Sequence, residues 1–327
     1  MDTTTAAHEL LARWSRQRPQ RAGSLIVTIF GDSIMPRGGA IALSGLIRLA
    51  VPFGLNERLV RTASARLAQE GWVEARRHGK LSEYRLSKSG RERFEDATMR
   101  IYGGPSADWT GRWTLVVLPD MRAADRQRLR KELVWRGFGE LSNGVFAHPE
   151  ARANEAALRT SAPPLPADTL VFDANLADHL APGALVGLGW DLADLGKRYR
   201  RFVQRFERAL EPLRRMPIEP EAAFVLRTLL IHEYRRLHLR DPLLPQSLLP
   251  ANWPGSRAAV LCGEIYVHVF AASEIYLSAC ASRLNGPLPP PDRAVMQRFG
   301  GLNLQQPAAP RAESVGRPLL QNRDRVR

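Results

Sequence analysis

Apolar positions along the 327-residue chain follow three successive patterns: short helical repeats, then strand-length runs, then long helical stripes. The first pattern opens with Ser24–Phe30, an apolar segment that stops before Pro36-Arg-Gly-Gly39 and reads as a helix and a turn. Ile41–Val51 repeats apolar residues at helical spacing (Ile41, Leu43, Leu46, Ile47, Ala50) until Pro52-Phe-Gly54 breaks it. A third helix follows at once, with Asn56 placed to N-cap it, Glu57 to complement its positive end and Leu55 to pack back on Val60. At about 100° per residue, Leu59, Val60, Ala63 and Leu67 share one face. Arg58, Arg61, Thr62, Ala65 and Gln69 lie opposite, with Ser64 and Arg66 flanking. Gly71 ends the helix, and Trp72–Arg76 and Leu81–Leu86 read as strands around the basic tip Arg77-His-Gly-Lys80. Helix, helix, hairpin is the order of a winged helix-turn-helix, expected over 24–97, and the polar residues 1–23 are expected to be mobile.

The second pattern begins after the turn-rich joint Ile101-Tyr-Gly-Gly-Pro105. Trp113–Leu118 reads as a buried strand, Arg126–Trp135 as a helix, Gly139–Phe146 as a hairpin around Ser142-Asn-Gly144, Ala151–Ser161 as a short helix and Thr169–Phe172 as a strand. The order β-α-β-β-α-β predicts a ferredoxin-like α/β sandwich over 105–180. Beyond Pro182-Gly183 the pattern is helical to about 286. Leu192, Leu195, Tyr199, Phe202, Phe206, Leu210 and Leu213 form one stripe, while Lys197, Arg198, Arg200, Arg201, Arg205 and Arg208 load the remaining surface. A second helix starts near Pro220 and runs through Phe224, Leu229, Leu230 and Tyr234. A third follows Trp253-Pro-Gly255 and carries Leu261, Ile265, Tyr266, Val269, Phe270 and Ile275. Proline, glutamine and arginine dominate from Pro287, so 287–327 is expected to be a disordered tail. The fold class predicted is therefore α+β and multidomain: a winged helix-turn-helix, a ferredoxin-like sandwich and a mostly α-helical C-terminal domain.

Composition narrows the partners. Hydrophobic residues make up 44% and the mean hydropathy is −0.26, values of a folded chain rather than a disordered one. The longest apolar stretches are interrupted by Arg48, Arg227 or Glu274, so no membrane span is expected; with no apolar signal core at the start, the expected location is cytoplasmic. Two cysteines, Cys262 and Cys280, make neither a disulfide framework nor a structural zinc site. The net charge of +14 and pI near 10.8 favour polyanions as partners. Within 54–93, ten Lys or Arg face five Glu. Basic charge therefore concentrates where the helix and hairpin were found, and a solvated helix face beside an ordinary hairpin is the plainer alternative. Cap, amphipathic face, small residue and basic hairpin occurring together favour DNA: Arg58, Arg61 and Thr62 meeting base edges, Ala65 permitting close approach beside Arg66, Arg77 and Lys80 meeting phosphates or the minor groove.

At this point the residues resemble the PaaX family of regulators of phenylacetate catabolism, over most of 24–285. The matching pieces are Val60-Arg-Thr-Ala63, Arg66–Trp72, Tyr84-Arg-Leu86 and Trp109–Thr114, then the more specific run Ile231–Arg236, Leu239–Pro242, Leu244-Pro245, Leu248-Leu-Pro250 and Asn252–Gly255. The resemblance implies a homodimeric repressor of a phenylacetate operon, released from double-stranded operator DNA by an aryl-acetyl-CoA thioester such as phenylacetyl-CoA. It also implies a middle domain like a small CRISPR-adaptation nuclease, reused for structure or pairing. A CoA thioester needs cations for phosphates and apolar walls for its acyl group and adenine. Lys197, Arg198, Arg235 and Arg236 are the phosphate candidates, and Trp190, Tyr199 and Trp253 the wall candidates; the competing readings are solvated arginines and core aromatics.

Enzyme readings find little support. His232-Glu233 begins an HExxH pattern, but Arg236 stands where the second imidazole is needed. No GxxxxGK[ST] loop, CxxC pair or GxSxG elbow occurs. Asp120 could ligate a metal for a nuclease built on the ferredoxin-like unit, but no carboxylate cluster accompanies it. A non-catalytic regulator without cofactor or metal is the leading reading, with a metal-dependent nuclease, or a winged-helix regulator with another effector or none, as alternatives.

Overall fold

Leu25, Ile26, Ile29 and Phe30 are all fully buried, and they place the apolar opening segment on a helix, α2 (Ala22–Ile29), against the molecule's main core. The computed structural model describes residues 3–16, 22–103, 108–149, 164–177, 179 and 181–302. Helix α2 continues into a π turn (Phe30–Ile34) and a 3-10 turn (Met35–Arg37) closed by left-handed Gly38. The wider π turn carries Asp32 into the interior, where its side chain is buried. Next come β1 (Ala40–Ala42), α3 (Leu43–Ala50), α4 (Glu57–Gln69), β2 (Val73–His78), β3 (Leu81–Leu86) and α5 (Lys88–Tyr102). The three strands form one antiparallel sheet in the order β1-β3-β2.

Two expectations at this end are corrected. Residues 1–23 are not wholly mobile: α1 (Thr3–Arg16) buries Ala7, Leu10 and Trp14, and Trp14 meets Phe53 edge to face with centroids 6.0 Å apart. Ile41 does not begin a helix but sits in β1 opposite Tyr84, because β3 supplies a ladder partner that local spacing does not reveal.

The middle unit comprises β4 (Arg112–Val117), α6 (Ala123–Trp135), β5 (Gly139–Ser142), β6 (Val145–His148) and β7 (Leu170–Asn175). Its sheet runs β5-β6-β4-β7 with every neighbouring pair antiparallel, the strand order of a ferredoxin-like fold. The helix expected over Ala151–Ser161 lies outside the described residues. One sheet face packs Val116 and Phe146 against Leu129 and Leu133 of α6. The other buries Trp113 and Ala147 under Val186, Leu244 and Leu248, so part of the Leu-Pro run covers a sheet face.

The helical third contains α7 (Pro182–Gly189), α8 (Leu192–Arg215), α9 (Pro220–His238) and α10 (Pro254–Cys280), with prolines at the first positions of α7, α9 and α10. The α8 stripe is buried as expected, apart from half-buried Leu192; on α10, Ile275 points outward. By length and composition α10 could cross a bilayer, yet it packs as a core helix between α8 and α9 and carries Glu264 and Glu274. The chain does not become a free tail at Pro287: β8 (Ser282–Arg283) pairs with β9 (Gly286–Pro287), and a 3-10 segment (Arg293–Gly300) buries Val295 and Arg298. Residues 303–327 lie outside the described part.

One continuous buried cluster joins α1–α5 to α8–α10, and a network of buried charge runs through it. Asp32 accepts from Arg227 of α9 at 2.7 Å, from Arg298 at 2.9 Å, and from the hydroxyls of Tyr102 (α5) at 2.7 Å and Tyr266 (α10) at 2.9 Å. Arg227 also donates to Ser273 at 3.0 Å and Glu274 at 2.7 Å, and Glu274 pairs with Arg37. Burial pushes the Asp32 carboxyl up, but Arg227, Arg298 and the two hydroxyls more than offset it and hold it below the usual carboxylate range. Because this carboxyl titrates lower folded than unfolded, its stabilisation is fully present above about pH 4 and is lost as pH falls through the folded value. Asp32→Asn should cost on the order of 3–5 kcal/mol at neutral pH and flatten the acid limb of stability, measured by urea unfolding between neutral and acid pH.

Candidate nucleic-acid interface

Helix α4 starts where the side-chain oxygen of Asn56 accepts the Leu59 N–H at 2.9 Å, as the sequence predicts. It stops in a Schellman turn: Gly71 is left-handed at φ +76°, and the Trp72 N–H reaches the Leu67 carbonyl at 2.9 Å. Helix α5 then locks this end. The hydroxyls of Ser87 and Ser89 donate to the Gly71 carbonyl at 2.5 and 3.1 Å, and Phe94 meets Trp72 edge to face. Gly90 is required there because a Cβ would stand 2.0 Å from the Trp72 carbonyl oxygen.

Val60, Ala63 and Leu67 turn inward beside buried Leu55, and Leu59, expected with them, is instead 39% exposed. Leu59 lines a groove between α2 and α4 together with Ser24, Val27, Thr62, Arg66 and Trp72. Ser64, expected at the flank, is buried. Arg58, Arg61, Thr62, Ala65, Arg66 and Gln69 are exposed on the outer face. Arg61 donates to Glu57 at 2.7 Å and Arg66 to Glu70 at 2.8 Å, both i to i+4, while the Thr62 hydroxyl donates to the Arg58 carbonyl at 2.9 Å. Exposed pairs of this kind are worth only about 0.3–0.5 kcal/mol, so a competing phosphate or base edge can displace them. The hairpin is tighter than expected. His78 and Leu81 form its closing pair, leaving Gly79-Lys80 as the turn, with Arg76, Arg77, His78 and Lys80 all exposed. Helix α4 and hairpin β2–β3 thus present a cationic outer surface on a rigid base.

The seven effector candidates do not converge. Trp190 and Arg198 line a cavity of about 360 Å³ between the middle unit and α8–α9, with Phe138, Leu195, Leu237 and Arg240. Trp190 also donates to the Gly137 carbonyl at 3.0 Å, and Arg198 is held by Asp194 at 2.7 Å. Lys197 is exposed on α8. Tyr199 is a core residue that donates to Asp241 at 2.7 Å and packs edge to face on Trp253. Arg235 is spent internally, donating to Thr28 at 2.8 Å and to the Ser24 carbonyl at 2.6 Å; burial and Arg236 lower its guanidinium to about 10. Arg236 lies 3.6 Å from Glu233. Sequence spacing missed this because nothing in it shows that Arg235 points at α2. His232 of the broken HExxH pattern meets Thr28 at 3.0 Å, and Glu233 pairs with Arg205. Asp120 is fully exposed and accepts from Arg126 at 3.2 Å. Among the described residues no group of three or more potential metal-ligating side chains occurs.

Three family models cover most of the chain: "PaaX-like protein" over 21–90, "PaaX protein central Cas2-like domain" over 106–186 and "PaaX-like protein C-terminal domain" over 190–279. The chain belongs to the PaaX family. It is 37% identical over 296 residues to the transcriptional repressor PaaX of Escherichia coli (strain K12), covering 89% of this chain and 93% of the relative. That relative is a regulator rather than an enzyme, in agreement with the reading of a chain without catalytic machinery. A solved structure of an uncharacterized protein, Rv0674 from Mycobacterium tuberculosis, matches 71% of this chain and 89% of its own at 26% identity and a TM-score of 0.47. The Cas2-like description of 106–186 agrees with the ferredoxin-like strand order found there.

Gly90→Ala tests the seating of α4 and the hairpin. The added methyl must displace backbone, so stability should fall on the order of 1–3 kcal/mol, read as a lower urea midpoint at unchanged slope.

Proposed function

We propose that this family member is a transcriptional repressor that reads duplex operator DNA through a winged helix-turn-helix, with α3 and α4 as the helix pair and β2–β3 as the wing. The observation that carries the proposal is α4 itself: capped at both ends, fixed inward by Val60, Ala63 and Leu67, and exposing Arg58, Arg61, Thr62, Ala65 and Arg66. Interposing β1 between α2 and α3 and pairing it with the wing gives the recognition helix a stiff support. The repressor named in E. coli supports the same role here. The protein acts in the cytoplasm as a homodimer, so its operator is an inverted repeat whose half-sites match the dimer axis. Arg58 and Arg61 meet base edges in the major groove, and Arg77 and Lys80 meet backbone phosphates.

Operator binding is measured by fluorescence anisotropy on the DNA flanking the gene. Arg58→Ala or Arg61→Ala should cost on the order of 1–3 kcal/mol on the operator and much less on random sequence, whereas Lys80→Ala should weaken both equally. Equal losses on both DNAs for the α4 variants would overturn base reading.

The effector of this reading is an aryl-acetyl-CoA thioester such as phenylacetyl-CoA, from an aromatic-acid operon. The cavity beside Trp190 supports it better than the dispersed candidates, because apolar walls (Phe138, Leu195, Leu237) and cations (Arg198, Arg240) meet there at the border of two units. Phenylacetyl-CoA, but not phenylacetate or CoA added separately, should dissociate the operator complex in a gel-shift assay. Trp190→Ala should raise the thioester concentration required about tenfold or more while leaving DNA affinity intact.

A further inference from the structure

The second concentration of unbalanced charge lies on α8, far along the chain from α4. Its 24 residues hold eight Lys or Arg against three carboxylates. All three carboxylates are already engaged: Asp194 with Arg198, Glu211 with Arg215 at 2.5 Å, and Glu207 with Arg257 of α10 at 2.9 Å. Arg205 and Arg214 are matched by Glu233 and Glu264 of neighbouring helices. Lys197, Arg200, Arg201 and Arg208 remain exposed with no acidic partner among the described residues. Lys197, Arg201, Gln204 and Arg208 recur at i, i+4, i+7 and i+11, so they form one strip about 16 Å long. The opposite stripe, Tyr199, Phe202 and Phe206, is committed to the core.

Helix α1 turns this strip into a groove. Exposed Arg13 joins Arg201, Arg205 and Arg208 around a floor of Leu10 and Ala209, and Glu9 is the one carboxylate among the lining residues. No aromatic residue lines it, so it lacks the apolar enclosure that a small organic ligand requires. A nucleic-acid backbone needs only cations in a line, and duplex DNA presents about one negative charge per 1.7 Å of axis. The groove is also tied to α4 through the chain. From Arg16, the end of α1, six Cα steps lead to Ala22, which with Ser24 lines the same groove as Thr62 and Arg66. That distance is at most about 22 Å, shorter than the roughly 34 Å of one duplex turn.

We propose that the α1–α8 groove, centred on Arg13, Arg201 and Arg208, is a second, sequence-independent contact to the duplex DNA backbone. It extends the proposed footprint of α4 and rests on that reading.

The test is a salt series of binding by the full chain to a mixed-sequence duplex of roughly 40 base pairs, comparing wild type, Arg201→Ala/Arg208→Ala, the matching double Lys variant and Arg58→Ala/Arg61→Ala. The double Ala variant should retain its thermal melt and show a plot of log K against log salt shallower by about 1.8, for two lost phosphate contacts. The double Lys variant should restore the slope. A wild-type slope in the double Ala variant would overturn the second contact while leaving α4 untouched. Pyrophosphate is titrated in parallel; its binding by wild type but not by the double Ala variant, with DNA binding unchanged, would also overturn the proposal and assign the groove to a small phosphate ligand. Failure of the α4 reading is seen on operator DNA, measured alongside: there the Arg58→Ala/Arg61→Ala variant would bind like wild type whatever the α8 variants do.

Discussion

Asp32 is a carboxylate that could not stand alone where it is buried. Removing an ionised carboxyl from water costs several kcal/mol, and here the cost is offset only because Arg227, Arg298, Tyr102 and Tyr266 all turn their donors toward it. Those partners come from α9, the 3-10 segment near the C-terminal end of the described chain, α5 and α10. Satisfying one side chain therefore fixes four remote pieces of chain around the π turn that follows α2. Glu274 extends the constraint by taking both Arg227 and Arg37. Apolar packing alone would tolerate sliding between these elements, since it is non-directional, whereas a carboxylate with four donors accepts few arrangements.

The proposed regulatory logic rests on this rigid union. Helix α4 shares a continuous core with α8–α10, so the proposed DNA-reading surface and the helical third move as one body, unlike beads on a linker. The middle unit is built differently: its sheet has its own core under α6, and its other face is covered by Val186, Leu244 and Leu248. The cavity beside Trp190 lies at that border, where a ligand can change the fit of two separately packed units at less cost than inside either. Basic charge is also divided, between the outer surface of α4 with its hairpin and the α1–α8 groove, while Arg205, Arg214 and Arg257 are matched by carboxylates on neighbouring helices.

Signals carried by adjacent residues were legible without coordinates. Asn56 capping α4, Gly71 ending it, the outward set Arg58, Arg61, Thr62 and Ala65, the α8 stripe and the prolines opening α9 and α10 all depend on contacts a few residues away, which spacing encodes directly. The strand order of the middle unit was legible for the same reason, since a β-α-β-β-α-β succession leaves few sheets that can close. Where the reading missed, a distant partner was at work. Ile41 became a strand because β3 was there to pair with it. Trp14 and Arg298 were taken from presumed flexible ends into the core. Arg235, placed among effector cations for its position beside Arg236, was consumed by Ser24 and Thr28 some two hundred residues earlier.

Most helices and strands, their amphipathic faces, the family and the basic outer face of α4 could be read from the chain alone, because propensity, capping and charge act over a few residues. Packing across the fold settled which cations are free and which are spent, that Asp32 would be the hub of the core, and that α1 and α8 would bring Arg13 beside Arg201 and Arg208. Those outcomes depend on through-space geometry between residues far apart in the chain, and burial changes the energy of a charge by amounts that its neighbours in sequence do not record.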